Sequence, residues 1–402
     1  MDTSILHRDT WVEIHLDKIE NNIKQMRQYL PSSVKFMAAV KADAYGHGDL
    51  QVARIALKAG ADALAVSILS EALHLRRNGI KAPILVLTPI LPSDVNIAVE
   101  YDLSVTVFQL SWLKEMRLYK VGKKPLKIHL KIDTGLGRIG IRQKEELEAM
   151  LPMLEKDDVI VEGMYTHFAT ANRVDSSYYK KQFEAFLEII NWVKSKGLDV
   201  CIFHCANSAS TLKYKDSFLD MVRIGVAMFG IYPSEDIRKT STVKLESALS
   251  FSSKILYIKK LKKGSFVGYD GAYETKSDEW IATIPTGYAD GWFRCFQGFH
   301  VLVDGQKAPI IGKICMDQLM IRLPKRYPIG THVVLIGKQG NSEITLENLA
   351  DHIGSVPQEI PSMITYRVPK VYYYEEKIVE VLIERTWEPS RSFLNEVSVS
   401  TH

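Results

Sequence analysis

Lys41 closes a short apolar run, Val34 to Val40, and is followed at once by Ala42-Asp43-Ala44-Tyr45-Gly46-His47-Gly48. The run is partly β-branched and of strand length, which suits a strand buried on both faces. A lysine at the end of such a strand loses hydration. Its pKa then falls from about 10.4, and the neutral amine can attack a carbonyl to form a Schiff base. The bland alternative is an amine that merely snorkels out of the sheet end. A second stretch, Asp133-Thr134-Gly135-Leu136-Gly137-Arg138-Ile139-Gly140, has glycines that let backbone approach a ligand and an arginine whose fork suits a carboxylate. It reads equally as a tight turn with a surface arginine.

The elements that would position these residues follow from hydrophobic spacing. Between about Val34 and Gly230, short apolar runs alternate with segments whose apolar residues recur at three and four positions. Strands are expected at Val34 to Val40, Ala63 to Ser67, Ile84 to Thr88, Ser104 to Phe108, Lys127 to Ile132, Val161 to Phe168, Cys201 to Cys205 and Met221 to Gly225. Helices are expected at Leu50 to Ala59, Ile68 to Asn78 and Ser177 to Lys194, with Gly60, Gly79 and Gly197 as C-terminal caps. Eight βα units fit a closed barrel, where reactive side chains gather at the C-terminal strand ends. Those ends carry Lys41 and Tyr45, then Lys131, Asp133 and Arg138, then Thr166 and His167, then His204, Asn207 and Ser208, and finally Arg223. Ala206-Asn207-Ser208-Ala209-Ser210 would open a helix whose free N–H groups favour phosphate, and Gly225 follows the eighth strand. Loops after strands seven and eight are the common phosphate site of a barrel. A lysine beside a phosphate site points to pyridoxal phosphate.

After about Leu245 the helical spacing stops. Strands are expected at Leu249 to Leu261, Trp280 to Pro285, His300 to Val303, Met320 to Leu323 and His332 to Gly337, with one helix at Thr345 to His352. The expected fold class is therefore α/β, an N-terminal (β/α)8 barrel over 1–245 followed by a mainly β domain over 246–390, with a tail at 391–402 that carries no motif. A length of 402 residues with 46% hydrophobic residues allows two sizeable cores, and a net charge of +4 spread along the chain excludes a nucleic-acid surface as the reading. No apolar run reaches signal-peptide or membrane-span length. Cys201, Cys205, Cys295 and Cys315 have neither Cys-x-x-Cys nor disulfide-framework spacing, so free thiols in a reducing cytoplasm are expected.

Seven motifs, in order, resemble those of bacterial alanine racemases: Val-Lys41-Ala-Asp-Ala-Tyr45-Gly-His-Gly, Lys131-Ile-Asp-Thr-Gly-Leu-Gly-Arg138-Ile-Gly, Thr166-His167-Phe-Ala-Thr-Ala, Ala-Asn207-Ser208-Ala, Val-Arg223-Ile-Gly, Gly-Tyr-Ala-Asp-Gly, and Cys-Met316-Asp317-Gln. The resemblance spans roughly residues 10 to 375. It implies a homodimer with shared active sites, no metal, and a first strand near Trp11 to Leu16 that packs with the β domain. It also implies interconversion of L- and D-alanine, supplying D-alanine for peptidoglycan.

The resemblance assigns roles that chemistry can weigh. Racemisation removes the α-proton from one face of a planar intermediate and returns one to the other, so it requires two bases. By resemblance, Lys41 holds the cofactor covalently at rest and is one base; Tyr269 from the second subunit is the other. A free tyrosine, pKa about 10, needs help at neutral pH, which His167 linked to Arg223 would supply. Arg223 would contact the pyridine nitrogen and keep it unprotonated. Arg138, Met316 and Asp317 would meet the substrate, and Lys131 would be a carbamate that fixes Arg138. Tyr45, Asn207, Ser208, Gly225 and Val226 would hold the cofactor.

One position departs from the family pattern: Gln358 stands where the family usually carries a phosphate-contacting tyrosine. A looser pocket that admits serine is the expected consequence, although glutamine still hydrogen-bonds. A barrel hydrolase with a carbamylated Lys131, His167 and His204 around metals is a rival reading. Its first strand should end in His-x-His and its eighth in an acid, where this chain has Lys41-Ala42-Asp43 and Arg223. A non-catalytic cofactor-binding protein is the other rival, and retention of both Lys41 and Tyr269 opposes it.

Overall fold

The structure is a computed structural model in which residues 6–383 are described; the expected tail at 391–402 lies outside them. The chain forms two compact units. Among these residues, one contains His15–Leu249 and Gly354–Ser362, and the other contains 6–14, Ser250–Ile353 and 363–383.

The first unit is a barrel. After β1 (Thr10–His15), its strands are β2 (Lys35–Ala39), β3 (Ala63–Val66), β4 (Ile84–Val86), β5 (Ser104–Val107), β6 (Leu126–Lys131), β7 (Val159–Tyr165), β8 (Ile202–His204) and β9 (Met221–Ile224). They form one parallel sheet in the order β8-β7-β6-β5-β4-β3-β2-β9. The circuit is drawn together where the Asp220 N–H donates to the Phe203 carbonyl over 3.1 Å and the Arg223 N–H to the Ala206 carbonyl over 2.9 Å. Each expected strand is present; six are shortened by a residue or two, while β6 and β7 begin one and two residues earlier than expected and end one and three residues sooner.

Strand alternation divides the barrel interior by chemistry. Met37 and Ala39, Ala63 and Ala65, Leu85 and Met221 pack as an apolar cluster on one side. Ser104 and Thr106 on β5, His129 and Lys131 on β6, and His204 and Arg223 are all buried on the other. Burying so many polar groups is tolerable only if each is hydrogen-bonded. The helices outside are amphipathic: Leu16–Tyr29, which follows β1, buries Ile19, Ile23 and Met26 along one stripe.

The second unit carries β1 and twelve further strands: β10 (Leu249–Lys254), β11 (Tyr257–Leu261), β12 (Phe266–Val267), β13 (Tyr273–Glu274), β14 (Glu279–Ile284), β15 (His300–Val303), β16 (Gln306–Ile311), β17 (Leu319–Leu323), β18 (His332–Gln339), β19 (Ser342–Ile344), β20 (Lys370–Tyr374) and β21 (Lys377–Leu382). Strand β1 lies between β10 and β20 in its large sheet. The expected run Leu249 to Leu261 is in fact two strands, β10 and β11, and β12, β13, β16 and β19 to β21 have no counterpart among the expected strands.

Candidate active site

Lys41 leaves the end of β2 into an unusual turn. Ala42, Asp43, Ala44 and Tyr45 have φ of 53, 53, 50 and 56°, a left-handed run without a glycine. Each such residue costs roughly 1–2 kcal/mol, so the surroundings must hold it. Glu71 does much of this: Oε1 accepts from the Ala42 N–H over 2.7 Å, while Oε2 accepts from Ser67 and Ile68. Asp43 accepts from the Asp49 N–H at 3.1 Å. A Cβ on Gly46 would strike the Pro361 carbonyl, which explains the glycine at that point.

This turn forms one wall of a cavity of about 670 Å³. Its lining includes Lys41, Tyr45, Lys131, Arg138, His167, Asn207, Ser208, Arg223, Gly225, Val226 and Gln358, brought together from five strand ends and the segment Gly354–Ser362. Tyr269, Met316 and Asp317 belong to the β unit. Tyr269 is 61% exposed on a 3-10 turn and Met316 is 53% exposed. Asp317 accepts from Arg367 over 2.7 Å. The motif around Gly287 and the one around Met316 share one scaffold, because Tyr288 and Ala289 donate their N–H groups to the carbonyls of Cys315 and Met316. A Cβ at Gly287 would collide with both carbonyls.

The cavity is rich in cations. Burial, then the nearby Arg138 and Arg223, push the Lys41 pKa down, and Glu71 works against them. Burial pushes Lys131 down to about 7, with Arg223 adding to the fall. Lys131 Nζ donates to the Ile132 carbonyl over 2.8 Å. His167 is held well below the usual imidazole range by burial and by Arg223, Lys131, Arg138 and Lys41 in turn. Asp133, which faces Lys131, is committed to its own loop, accepting from the N–H groups of Gly135 and Gly137.

Arg223 is buried and uses its terminal nitrogens on the protein: Nη2 donates to the Thr166 carbonyl over 2.7 Å and to His167 Nδ1 over 3.3 Å, and Nη1 to His204 Nδ1 over 2.9 Å. Its guanidinium lies 5.0 Å from the Tyr165 ring centre. Ser208 Oγ accepts from the Gly225 N–H at 3.0 Å, and a Cβ on Gly225 would stand 2.5 Å from the Tyr45 hydroxyl. Burial raises the Tyr45 phenol to about 12, so it is a proton donor at neutral pH. The helix after Asn207 is only Ser208–Lys213, and the Asn207 side chain already caps the Ser210 N–H. Hydroxyls and loop amides, more than a helix end, are therefore the donors at this corner.

Sequence reasoning missed Glu71, Tyr165, His129 and Glu162. A glutamate three residues into a helix was a visible capping signal for Glu71. The three strand residues read as ordinary alternation.

Fold and site together define a (β/α)8 barrel enzyme with a cavity at its C-terminal strand ends, into which a lysine amine of lowered pKa, two arginines and several hydroxyl groups converge. The chain belongs to the alanine racemase family: the pattern for "Alanine racemase, N-terminal domain" matches residues 14–233, and that for "Alanine racemase, C-terminal domain" matches residues 248–372. The alanine racemase of Geobacillus kaustophilus is 47% identical over 376 residues, 93% of this chain and 97% of its own. Alanine racemase 1 of Bacillus subtilis is 42% identical over 382 residues, 95% of this chain and 97% of its own. A crystal structure of alanine racemase from Bacillus anthracis, with bound L-Ala-P, superposes with a TM-score of 0.92 at 48% identity, covering 94% of this chain and 98% of that one.

Proposed function

We propose that the protein interconverts L-alanine and D-alanine with pyridoxal phosphate, as a homodimer whose active sites each take Lys41 from one copy and Tyr269 from the other. The observation that carries the reading is the cation-rich cavity around a lysine of lowered pKa. Lys41, Lys131, Arg138 and Arg223 face a space whose nearby Asp133 is bound to its own loop, so the cavity calls for an anionic ligand. A phosphate and a carboxylate are such anions. The donor set fits pyridoxal phosphate: Tyr45 and Ser208 hydroxyls at a corner kept open by Gly225, with Asn207 and Val226 beside them, suit the phosphate. Arg223 suits the ring nitrogen. When bound, pyridoxal phosphate supplies an electron sink for the charge left at the substrate α-carbon.

The protein's own groups would do the rest. The neutral Lys41 amine takes or returns the α-proton on one face. Tyr269 of the second copy serves the opposite face, and its exposure on a turn leaves it available for a position across a subunit boundary. Arg138 holds the substrate carboxylate in a two-pronged grip, and Met316 and Asp317 from the second copy border the substrate. A neutral Lys131 amine near pH 7 is the form that captures carbon dioxide as a carbamate, which would anchor Arg138. Chirality-resolved turnover of L- and D-alanine in the presence of pyridoxal phosphate tests the reading; no interconversion by the loaded protein contradicts it. D-alanine for cell-wall peptidoglycan, made in the cytoplasm, is the accompanying role. Among the described residues no helix is long and apolar enough to cross a membrane.

A second reading extends the substrates to serine. Gln358 lines the cavity with Val356 and Pro357. Its amide offers a donor and an acceptor for a substrate hydroxyl. The ratio of kcat/KM for L-serine to L-alanine should fall in Gln358→Tyr; an unchanged ratio removes the idea.

A further inference from the structure

Behind Arg223, on the side away from Lys41, the barrel interior contains a file of polar groups with no part in the proton transfers. Arg223 Nη1 lies 2.9 Å from His204 Nδ1, His204 Nε2 lies 2.9 Å from His129 Nδ1, and His129 Nε2 lies 3.2 Å from Glu162 Oε2. Ser104 Oγ donates to the same carboxylate oxygen. Both histidines are buried, His204 completely.

The direction of every bond in this file is fixed by chemistry. An arginine only donates, so His204 Nδ1 accepts. The His204 proton must then sit on Nε2, from which it is donated to His129 Nδ1. The His129 proton is in turn placed on Nε2 and donated to the carboxylate. The far end demands the same order, because an ionised Glu162 only accepts. Burial depresses the pKa of both histidines. Arg223 lowers both further, His129 and Lys131 also oppose charge on His204, and Glu162 partly opposes the fall at His129. Glu162 is held at about 2, chiefly by its bond to His129, with Ser104 and Lys127 assisting. A one-way file from cation to anion through two neutral imidazoles polarises each bond in turn.

The backbone is shaped to allow it. The β6–β7 register shifts between Ile128, opposite Val161, and His129, opposite Gly163, so Glu162 is the extra residue of a bulge. Bulges re-aim side chains. A Cβ at Gly163 would run into the His129 ring, so the glycine makes room for the imidazole. Tyr165 completes the packing: its ring stacks on His204 at 4.9 Å, and its hydroxyl is paired with Thr106 at 2.9 Å.

We propose that Glu162 is a positioning residue for Arg223, acting through His129 and His204 to fix the orientation of the guanidinium and to supply the anion that offsets its charge inside the barrel. The kinetic part rests on the racemase reading; the proton positions do not. Nitrogen NMR of the holoenzyme with labelled histidine should show His129 and His204 neutral with the proton on Nε2. A proton on Nδ1 of either, or a doubly protonated ring at neutral pH, overturns the file. Glu162→Gln keeps the shape and removes the charge. Its kcat for alanine should drop about tenfold, the scale of one charge-assisted bond, with KM moved by less than about twofold because Glu162 does not touch substrate. The visible absorbance of the bound cofactor should shift as well. A Glu162→Gln holoenzyme with wild-type absorbance and kcat, whatever its melting temperature, contradicts the proposal. Should the wild-type protein fail to racemise alanine, the racemase reading falls, and the absorbance and the histidine protons still decide the role of Glu162.

Discussion

Glu71 accepts the N–H of Ala42, the residue after Lys41, over 2.7 Å, and its other oxygen accepts those of Ser67 and Ile68. One carboxylate thereby ties the left-handed turn behind Lys41 to the start of the helix Leu69–Arg77. Glu71→Ala should cost about 2 kcal/mol in denaturant unfolding, since charge-assisted bonds to strained backbone are lost. Glu71 also raises the Lys41 pKa, so its removal lets the amine become neutral at lower pH. The acid limb of the kcat/KM profile should therefore move to lower pH, and a shift the other way would refute the assigned coupling.

Gly225 has no side chain where a Cβ would stand 2.5 Å from the Tyr45 hydroxyl. Gly225→Ala should displace that phenol and weaken binding of pyridoxal phosphate at least roughly tenfold, the scale of 1–3 kcal/mol of overpacking. Equilibrium titration of the apoprotein measures this directly, and unchanged affinity would remove Tyr45 from the phosphate corner.

Lys131 has a folded-state pKa of about 7 against an ordinary 10.5. Between those values the unfolded chain binds the proton and the folded protein does not, so this residue makes stability rise with pH across that window. Below it, both states are protonated and the cost of the buried charge is present in full. Compared with Lys131→Met, the wild-type protein freed of carbon dioxide, so that Lys131 is an unmodified amine, should gain stability steadily from near pH 7 toward pH 10, read by chemical denaturation. Parallel curves under those conditions would mean that Lys131 is not a buried titrating amine.

The eight barrel strands and the residues at their ends were legible because a buried parallel strand is a short apolar run, and the fold brings those ends together. Other features leave weaker traces. Strand β16 contains Pro309, which argues against a strand from sequence alone, although His300 pairs with it. The left-handed run at Ala42 to Tyr45 has no glycine to announce it. Glu162 looks like the polar position of an alternating strand, and only the bulge turns it toward His129. Gln358 is far from the barrel strands in sequence, yet Gly354–Ser362 groups with the barrel unit.

Tyr269→Ala alone should retain the cofactor and lose interconversion in both directions, keeping only exchange of the D-alanine α-proton with solvent through Lys41, whereas Lys41→Ala should lose the covalent link to the cofactor. Mass spectrometry after borohydride reduction and enantiomer-resolved rates separate the two. Retention of the link in Lys41→Ala would move the reactive amine elsewhere.

The central claim is that Lys41 and Tyr269 meet across two copies of the chain. Lys41→Ala and Tyr269→Ala proteins, each inactive alone, can be unfolded together, refolded and loaded with pyridoxal phosphate. Random pairing makes half the dimers mixed, and each mixed dimer contains one site with both native residues, so roughly a quarter of wild-type racemase activity should return. If both residues served a site within one chain, no pairing would restore an intact site, and the refolded mixture would remain as inactive as its parents.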